Sequence, residues 1–216
     1  MYQRGNKMKT FLFQGDSVTD AGRNREDDYD LGFGYPRIVA EYFEKKYPAQ
    51  FSFVNTGTSG DTSACIYARM GTEILNIHPD YMSLLVGFND ISHLITNNDG
   101  IAPHRYEQLL CMLIEDVTQA LPDIKIIMLE PYVLKGVSTE PNWTKLNPGV
   151  RNNASIAKRV AEKYGLPFVT LQDKFDALCN EKPAEFWVQD GIHPTENGHR
   201  VIADELIKAI EETVLN

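Results

Sequence analysis

Four short segments of this 216-residue chain carry side chains that could do chemistry together. Gly15-Asp16-Ser17 offers a hydroxyl, and a loop over residues 55–61 is rich in small residues. Gly87-Phe88-Asn89-Asp90 offers a primary amide. Asp190-Gly191-Ile192-His193-Pro194 sets an acid and an imidazole three residues apart. A serine hydroxyl is a poor nucleophile at neutral pH. It needs a base within hydrogen-bond reach, and the base needs an orienting group. His193 can be that base. In a turn, the Asp190 carboxylate can reach its Nδ1, fixing the tautomer and leaving Nε2 to face Ser17. Attack on an ester carbonyl creates an oxyanion, which needs donors already aimed at it. The N–H groups of Ser17 and Gly60 and the side-chain amide of Asn89 suit that task. Gly60 has no side chain to obstruct close approach, and Asn89 is a donor that buries no charge.

These segments need a scaffold that brings them together. Short apolar runs over residues 9–14, 51–54, 81–86, 124–129 and 166–171 read as buried strands. Between and after them, helical spacing of apolar residues predicts helices over 35–47, 63–77, 106–121, 150–164 and 195–214. A long loop with Pro141, Pro148 and Gly149 precedes the fourth helix, and Gly165 ends that helix as a C′ glycine. Alternation of strand and helix predicts a parallel sheet with helices on both faces. Right-handed crossovers leave few topologies; the flavodoxin-like strand order 2-1-3-4-5 is the one expected. In such sheets a site lies at the carboxyl ends of the strands. The first three candidate segments each follow a strand, and the fourth precedes the last helix. Length and the lack of a linker predict one domain over residues 1–216, with 1–8 as an N-terminal extension and Met8 as an alternative start. The acidic stretch 20–30 reads as a solvated loop.

At this point the chain resembles the SGNH hydrolase superfamily, also called the GDSL esterase/lipase family. Gly15-Asp16-Ser17 matches the first family block, Gly60 the second-block glycine, Gly87-Phe88-Asn89-Asp90 the third, and Asp190 to Pro194 the fifth. The resemblance runs from about residue 9 to 214. It implies a three-layer α/β/α sandwich and a serine esterase without cofactor. The triad would be Ser17, His193 and Asp190, and the oxyanion hole Ser17, Gly60 and Asn89. A narrower similarity, over residues 15–23 and 31–35, is to carbohydrate acetylesterases, including acetyl xylan esterases. That branch removes acetyl groups from sugar hydroxyls, so the implied substrate is a small-molecule or oligosaccharide ester. Trp187, just before the fifth block, resembles a tryptophan of that branch and is expected to wall the substrate pocket. The broader family also contains lysophospholipases and thioesterases, which leaves those activities open.

Other residues read more simply. Asp16 and Asp90 are expected to hold their loops through backbone contacts, and Asp61-Thr62 to cap a helix. His199 is expected to be structural, while His93 and the loop aromatics Tyr29, Phe33, Tyr35 and Trp143 are weaker pocket candidates. With 21 basic against 30 acidic residues, a net charge of -9, the chain lacks the basic surface that nucleic acid or an anionic membrane requires. No stretch approaches the roughly 18 apolar residues of a membrane span. The polar start reads as cytoplasmic; a leader removed before it would leave the same sequence. Cys65, Cys111 and Cys179 are odd in number, widely spaced and match no zinc pattern. No metal is expected, although a metal-dependent phosphoesterase using Asp16, Asp90, Asp190 and His193 is a rival chemistry. A catalytically dead carbohydrate binder on the same fold is another rival. Ser17 lacks the second glycine of a Gly-x-Ser-x-Gly elbow, which argues against an α/β-hydrolase. A homo-oligomer is compatible with all of this.

Overall fold

The computed structural model of the protein describes residues 8–213. All of the expected extension except Met8, and the expected end of the last helix at Val214, lie outside the described residues. Five strands form one all-parallel sheet: β1 (Lys9–Gly15), β2 (Phe51–Asn55), β3 (Tyr81–Leu85), β4 (Lys125–Leu129) and β5 (Phe168–Val169). Their order is β2-β1-β3-β4-β5, as expected. Nine α-helices are described: α1 (Ser17–Asp20), α2 (Tyr35–Lys46), α3 (Ser63–Met70), α4 (Phe88–Thr96), α5 (Pro103–Ala120), α6 (Trp143–Tyr164), α7 (Gln172–Leu178), α8 (Ala184–Trp187) and α9 (Glu196–Thr213).

Strand alternation divides the core into two layers. Phe11 and Phe13 of β1 point to one face, where Val39 and Phe43 of α2 and Ile202, Leu206 and Ile210 of α9 cover them. Leu12 points to the other, covered by Ile66 of α3, Leu110 and Leu113 of α5, and Ile156 and Val160 of α6. Both faces are buried, so the strands read as continuous apolar runs rather than as alternating ones. Each large side chain so buried contributes roughly 1.5–3 kcal/mol.

The short helices α1, α7 and α8 were not expected, and three longer ones differ from the sequence expectation. The helix expected over 63–77 breaks into α3 followed by a π-helical turn, Gly71–Leu75. α6 begins at Trp143 rather than 150, with Pro148 inside it. Leu146 and Val150, one turn apart, pack on Phe88, Ile91 and Val133 in a small separate core. That packing outweighs the one backbone bond the proline removes. α4, expected as loop, places Ile91 in the same core.

Register puts the candidate segments at one edge. Gly15 pairs with Leu85, and Phe13 with Asn55. The chain therefore leaves β1, β2 and β3 on the same side of the sheet, at the β1/β3 switch in strand order.

Candidate active site

The final turn before α9 carries the acid and the imidazole. An isolated antiparallel bridge joins Val188 to Pro194. The Gln189 N–H donates to the His193 carbonyl at 3.0 Å, closing the turn. Gly191 has φ +96, and a Cβ there would lie 2.5 Å from the Leu134 carbonyl oxygen and from Thr139 Oγ1. Only glycine fits both the conformation and the space. The segment after β4 clamps this turn from outside. Leu134 N–H donates to the Gly191 carbonyl (2.9 Å), Ser138 N–H to the Asp190 carbonyl (3.0 Å), and the Tyr132 hydroxyl to the Ile192 carbonyl (3.1 Å).

Held this way, Asp190 collects four donors. Its Oδ1 accepts the N–H groups of Ile192 (2.9 Å) and His193 (2.8 Å). Its Oδ2 lies 2.9 Å from His193 Nδ1 and accepts the Ser138 hydroxyl at 3.2 Å. Partial burial raises the Asp190 carboxyl. The N–H and ring of His193 and the N–H of Ile192 outweigh it and hold the carboxyl below its ordinary range. An ionised Asp190 fixes the proton of His193 on Nδ1. The ring's Nε2 then lies 3.1 Å from Ser17 Oγ. Such a line can draw the hydroxyl proton from Ser17 as the oxygen attacks an acyl carbon.

Ser17 opens α1, whose N-cap is Asp16; Asp16 Oδ1 accepts the Val18 N–H at 3.0 Å. Across from it stands the loop after β2, strapped on both sides. Asn55 donates to the Thr19 carbonyl (2.8 Å) and accepts the Gly57 N–H (2.9 Å). Arg23 Nε donates to the Gly57 carbonyl at 2.9 Å. Asp20 Oδ2 accepts both the N–H and the hydroxyl of Ser59, and it is paired with Arg25. Burial raises the Asp20 carboxyl, but the Ser59 donors and Arg25 together hold it below its ordinary range. Gly60 follows, with φ +89. Neither its N–H nor that of Ser17 has a partner among the described residues.

Asn89, buried in the first turn of α4, donates from Nδ2 to the Asp61 carbonyl at 2.9 Å. An amide nitrogen has two N–H groups, so one remains to meet a ligand. Asp61 is itself paired with Arg69, which also holds Glu73 of the π turn. Glu73 accepts from Gln14 Nε2 (3.1 Å), and Gln14 Oε1 accepts the Gly15 N–H (2.8 Å). One polar chain thus ties the end of β1 to the Asp61–Asn89 pair. The structure brings Ser17, Gly60, Asn89, Asp190 and His193 to one end of the sheet.

A cavity of about 760 Å³ opens beside Ser17 and His193. Its walls include Phe33, Arg37, Glu41, Glu196, His199 and Arg200. A second cavity of about 290 Å³, lined by Tyr29, shares Arg37 and Glu41 with the first. Trp187 is not among the residues lining either. Its indole N–H donates to the Leu178 carbonyl at 3.2 Å, and its ring stacks edge-on with Phe186. The indole expected to wall the pocket is thus bonded to the end of α7 and is not among the residues lining these two cavities. Tyr35 is fully buried, its hydroxyl 2.9 Å from Thr19 Oγ1. Trp143 packs on the small core of α4 and α6, and His93 lines neither cavity.

The remaining carboxylates are engaged elsewhere. Burial raises Asp16 to about 7, with the Val18 N–H pulling the other way. Burial raises Asp90 to about 6, against the hydroxyl and N–H of Ser63, which it accepts. Among the described residues no three His, Cys, Asp or Glu side chains converge as a metal set. The four residues of the rival phosphoesterase chemistry are thus two loop-holding carboxylates and one acid–imidazole pair. The stretch 20–30 is not simply solvated: Asp20 and Arg23 are buried. These two, with Ser138 and Arg69, are the supports the sequence reading missed. Asp20 and Arg23 lie in the span of the acetylesterase resemblance, a signal that could have found them; Ser138 and Arg69 have none.

The profile of the GDSL-like lipase/acylhydrolase family matches residues 13–201. An acetylxylan esterase from Geobacillus stearothermophilus is 28% identical over 92% of this chain and 92% of its own. Thioesterase 1/protease 1/lysophospholipase L1 of Escherichia coli K12 is 26% identical over 95% of this chain and 85% of its own. A candidate GDSL-like lipase from Parabacteroides merdae, solved by crystallography, superposes with a TM-score of 0.89. It is 30% identical and covers 95% of this chain and 98% of its own. No helix among the described residues is long and apolar enough to cross a membrane.

Proposed function

This chain belongs to the GDSL-like lipase/acylhydrolase family, a family of carboxylic ester hydrolases, and from that premise we propose that it removes acetyl groups from O-acetylated carbohydrates through an acyl-enzyme on Ser17. His193 takes the Ser17 proton as Oγ attacks the acetyl carbonyl. The N–H groups of Ser17 and Gly60 and the free N–H of Asn89 stabilise the oxyanion. His193 then hands its proton to the leaving alcohol, and a water activated by the same ring releases acetate. Asp190 stays ionised throughout and holds the ring. No step calls for a metal or cofactor.

The observation that carries the reading is the unbroken line Ser17 Oγ–His193 Nε2 (3.1 Å) and His193 Nδ1–Asp190 Oδ2 (2.9 Å). The substrate half is supported by the cavity. Its walls are polar and apolar in about equal measure, with Phe33 and Ile38 the large apolar side chains. An octanoyl chain would find only two large apolar side chains there, whereas hydroxyl groups would find partners in Arg37, Glu41, Gln189, Glu196 and Arg200. The neighbouring cavity that shares Arg37 and Glu41 supports an alcohol longer than one sugar ring. The similarity to the acetylxylan esterase agrees with this. We take residues 1–216 as one domain, with 1–8 as an extension. We place the protein in the reducing cytoplasm, which suits the three free thiols Cys65, Cys111 and Cys179.

The test is an ester panel read as kcat/KM: acetylated xylo-oligosaccharide, p-nitrophenyl acetate and octanoate, lysophosphatidylcholine and an acyl-thioester. Acetyl should exceed octanoyl, and the sugar ester should exceed the lysophospholipid. The second reading, a lysophospholipase or thioesterase, is favoured by the similarity to the E. coli enzyme. It takes over if the long-chain or thioester substrates lead.

A further inference from the structure

His199 sits on the first turn of α9, six residues beyond His193. Its Nδ1 accepts the Tyr35 N–H at 3.2 Å, at the start of α2. A nitrogen that accepts carries no proton, so in the neutral ring the proton is on Nε2. Burial, with His193 nearby, pushes this imidazole down to about 4, so the ring is neutral near pH 7. The residue is 9% exposed and lines the cavity beside Ser17. Its Nε2 has no partner among the described residues and is not one of the sealed buried polar atoms. The unpaired N–H is therefore accessible, on a residue that lines the cavity.

The same contact fixes an aromatic face. The turn before Tyr35 carries Phe33 and Gly34. A Cβ at Gly34 would lie 2.8 Å from His199 Cε1 and 2.5 Å from Ala21 Cβ, so the imidazole rests directly on this backbone. Phe33, 78% exposed, stands on the cavity rim, and its N–H donates to the Ala21 carbonyl at 2.9 Å. The wall beyond pairs each cation with an anion, Arg37 with Glu41 and Arg200 with Glu196. A neutral N–H donor, an aromatic face and a charge-balanced wall suit an uncharged polyhydroxylated alcohol. A phosphate headgroup would call for an unpaired cation, and an acyl chain for a continuous apolar wall.

Building on the ester-hydrolase reading above, we propose that His199 binds the alcohol half of the ester, its fixed Nε2–H donating to a sugar oxygen while the ring lies against Phe33. His199 takes no part in the proton transfers of His193. It selects the leaving alcohol.

Two substitutions separate its nitrogens. His199→Asn places an acceptor near the Nδ1 position and removes the distal donor. His199→Gln places a donor near the Nε2 position and removes the near acceptor. The readout is the ratio of kcat/KM for acetylated xylo-oligosaccharide to that for p-nitrophenyl acetate, per active site titrated with an organophosphonate. His199→Asn should lower the ratio about tenfold, mostly through KM, the size of one lost hydrogen bond. His199→Gln should keep the ratio within about threefold. An equal loss on both esters, or an unmoved ratio in His199→Asn, overturns the proposal. So does a wild type that cleaves p-nitrophenyl acetate but not the sugar ester, while the esterase reading stands. Failure on both esters rejects the esterase reading itself. A histidine-selective ¹H–¹⁵N spectrum of the wild type needs no variant. The His199 Nε2–H signal should move on adding xylo-oligosaccharide, and a signal unmoved at saturation overturns the assignment.

Discussion

The Asp20 carboxylate takes both the N–H and the hydroxyl of Ser59, at 2.9 and 2.7 Å. The last residue of the nucleophile's helix thereby holds the residue just before Gly60. Asp20→Ala frees that loop, and misplacing a donor by about 1 Å can cost 10²-fold. We expect kcat to fall roughly 10–100-fold with a smaller change in KM. Asp20→Asn, which keeps an acceptor, should fall between. Steady-state kinetics on p-nitrophenyl acetate decide it; a loss confined to KM would remove Asp20 from the support of the oxyanion site.

Ser17→Ala should abolish ester hydrolysis, by about 10⁴–10⁶-fold, with melting temperature little changed. Asn89→Ala should cost about 10²–10³-fold in kcat, because its free N–H meets an oxyanion that exists only near the transition state. Retention of more than a few per cent of kcat in the serine variant, free of contaminant, contradicts the nucleophile. A pure KM effect in the asparagine variant makes Asn89 a ground-state binder.

Asp16 gives a pH dependence of stability with a definite sign. Its carboxyl is raised to about 7 in the folded chain, against 3.8 for an ordinary aspartate carboxyl. Below about pH 4 both states hold the proton, and the stabilisation is complete. As pH rises toward 7 only the folded state still holds it, so stability falls across this window. Asp90, also raised by burial, acts in the same direction. Asp16→Asn keeps the N-cap acceptor and removes one titration. Urea unfolding should show the variant gaining on the wild type between pH 4.5 and 7.5, by on the order of 1–3 kcal/mol. Parallel stability curves would contradict the shift.

Activity should survive exhaustive dialysis against EDTA, since the proposed steps use only Ser17, His193, Asp190 and backbone or amide donors. Loss in chelator with recovery on a divalent ion would bring the phosphoesterase reading forward.

Trp187→Leu should lower the melting temperature by a few degrees yet leave the acetyl-over-octanoyl ratio in place, because Trp187 is not among the residues lining the two cavities. A ratio that collapses would return Trp187 to the acyl site.

Sheet order and the five converging residues were legible because both follow from strong local signals. Apolar strands of four to six residues ended at glycine or small-residue loops, and parallel topology delivers such loops to one edge. What the chain hid depends on long-range contact. α4 follows Gly87 with only a few apolar positions, and its helix is secured by Ile91 packing against Leu146 and Val150. The start of α6 lies before a proline that local rules read as a stop. Asp20 and Arg23 sit in an acidic stretch whose burial depends on Ser59 and Gly57, more than thirty residues away. The bond from the Trp187 indole to the Leu178 carbonyl was equally hidden, because proximity to Asp190 in sequence says nothing about which way an indole turns.

The π turn at Gly71–Leu75 constrains the tolerance of this segment to insertion and deletion. Ile66 and Ile74 are both fully buried in the same layer. Eight residues of regular α-helix rotate by about 800°, roughly 80° beyond two full turns, and the wider turn absorbs the excess. Removing one residue would leave seven, which turn by about 700°, within about 20° of two full turns, so an ordinary α-helix would then keep Ile74 in the core. Inserting one would instead rotate Ile74 by roughly a further 100° away from Ile66. A single-codon insertion between 71 and 75 should therefore lower stability more than a single-codon deletion there. The phase of this one turn also presents Glu73 to Arg69 and Gln14, the links between the end of β1 and the Asp61–Asn89 pair.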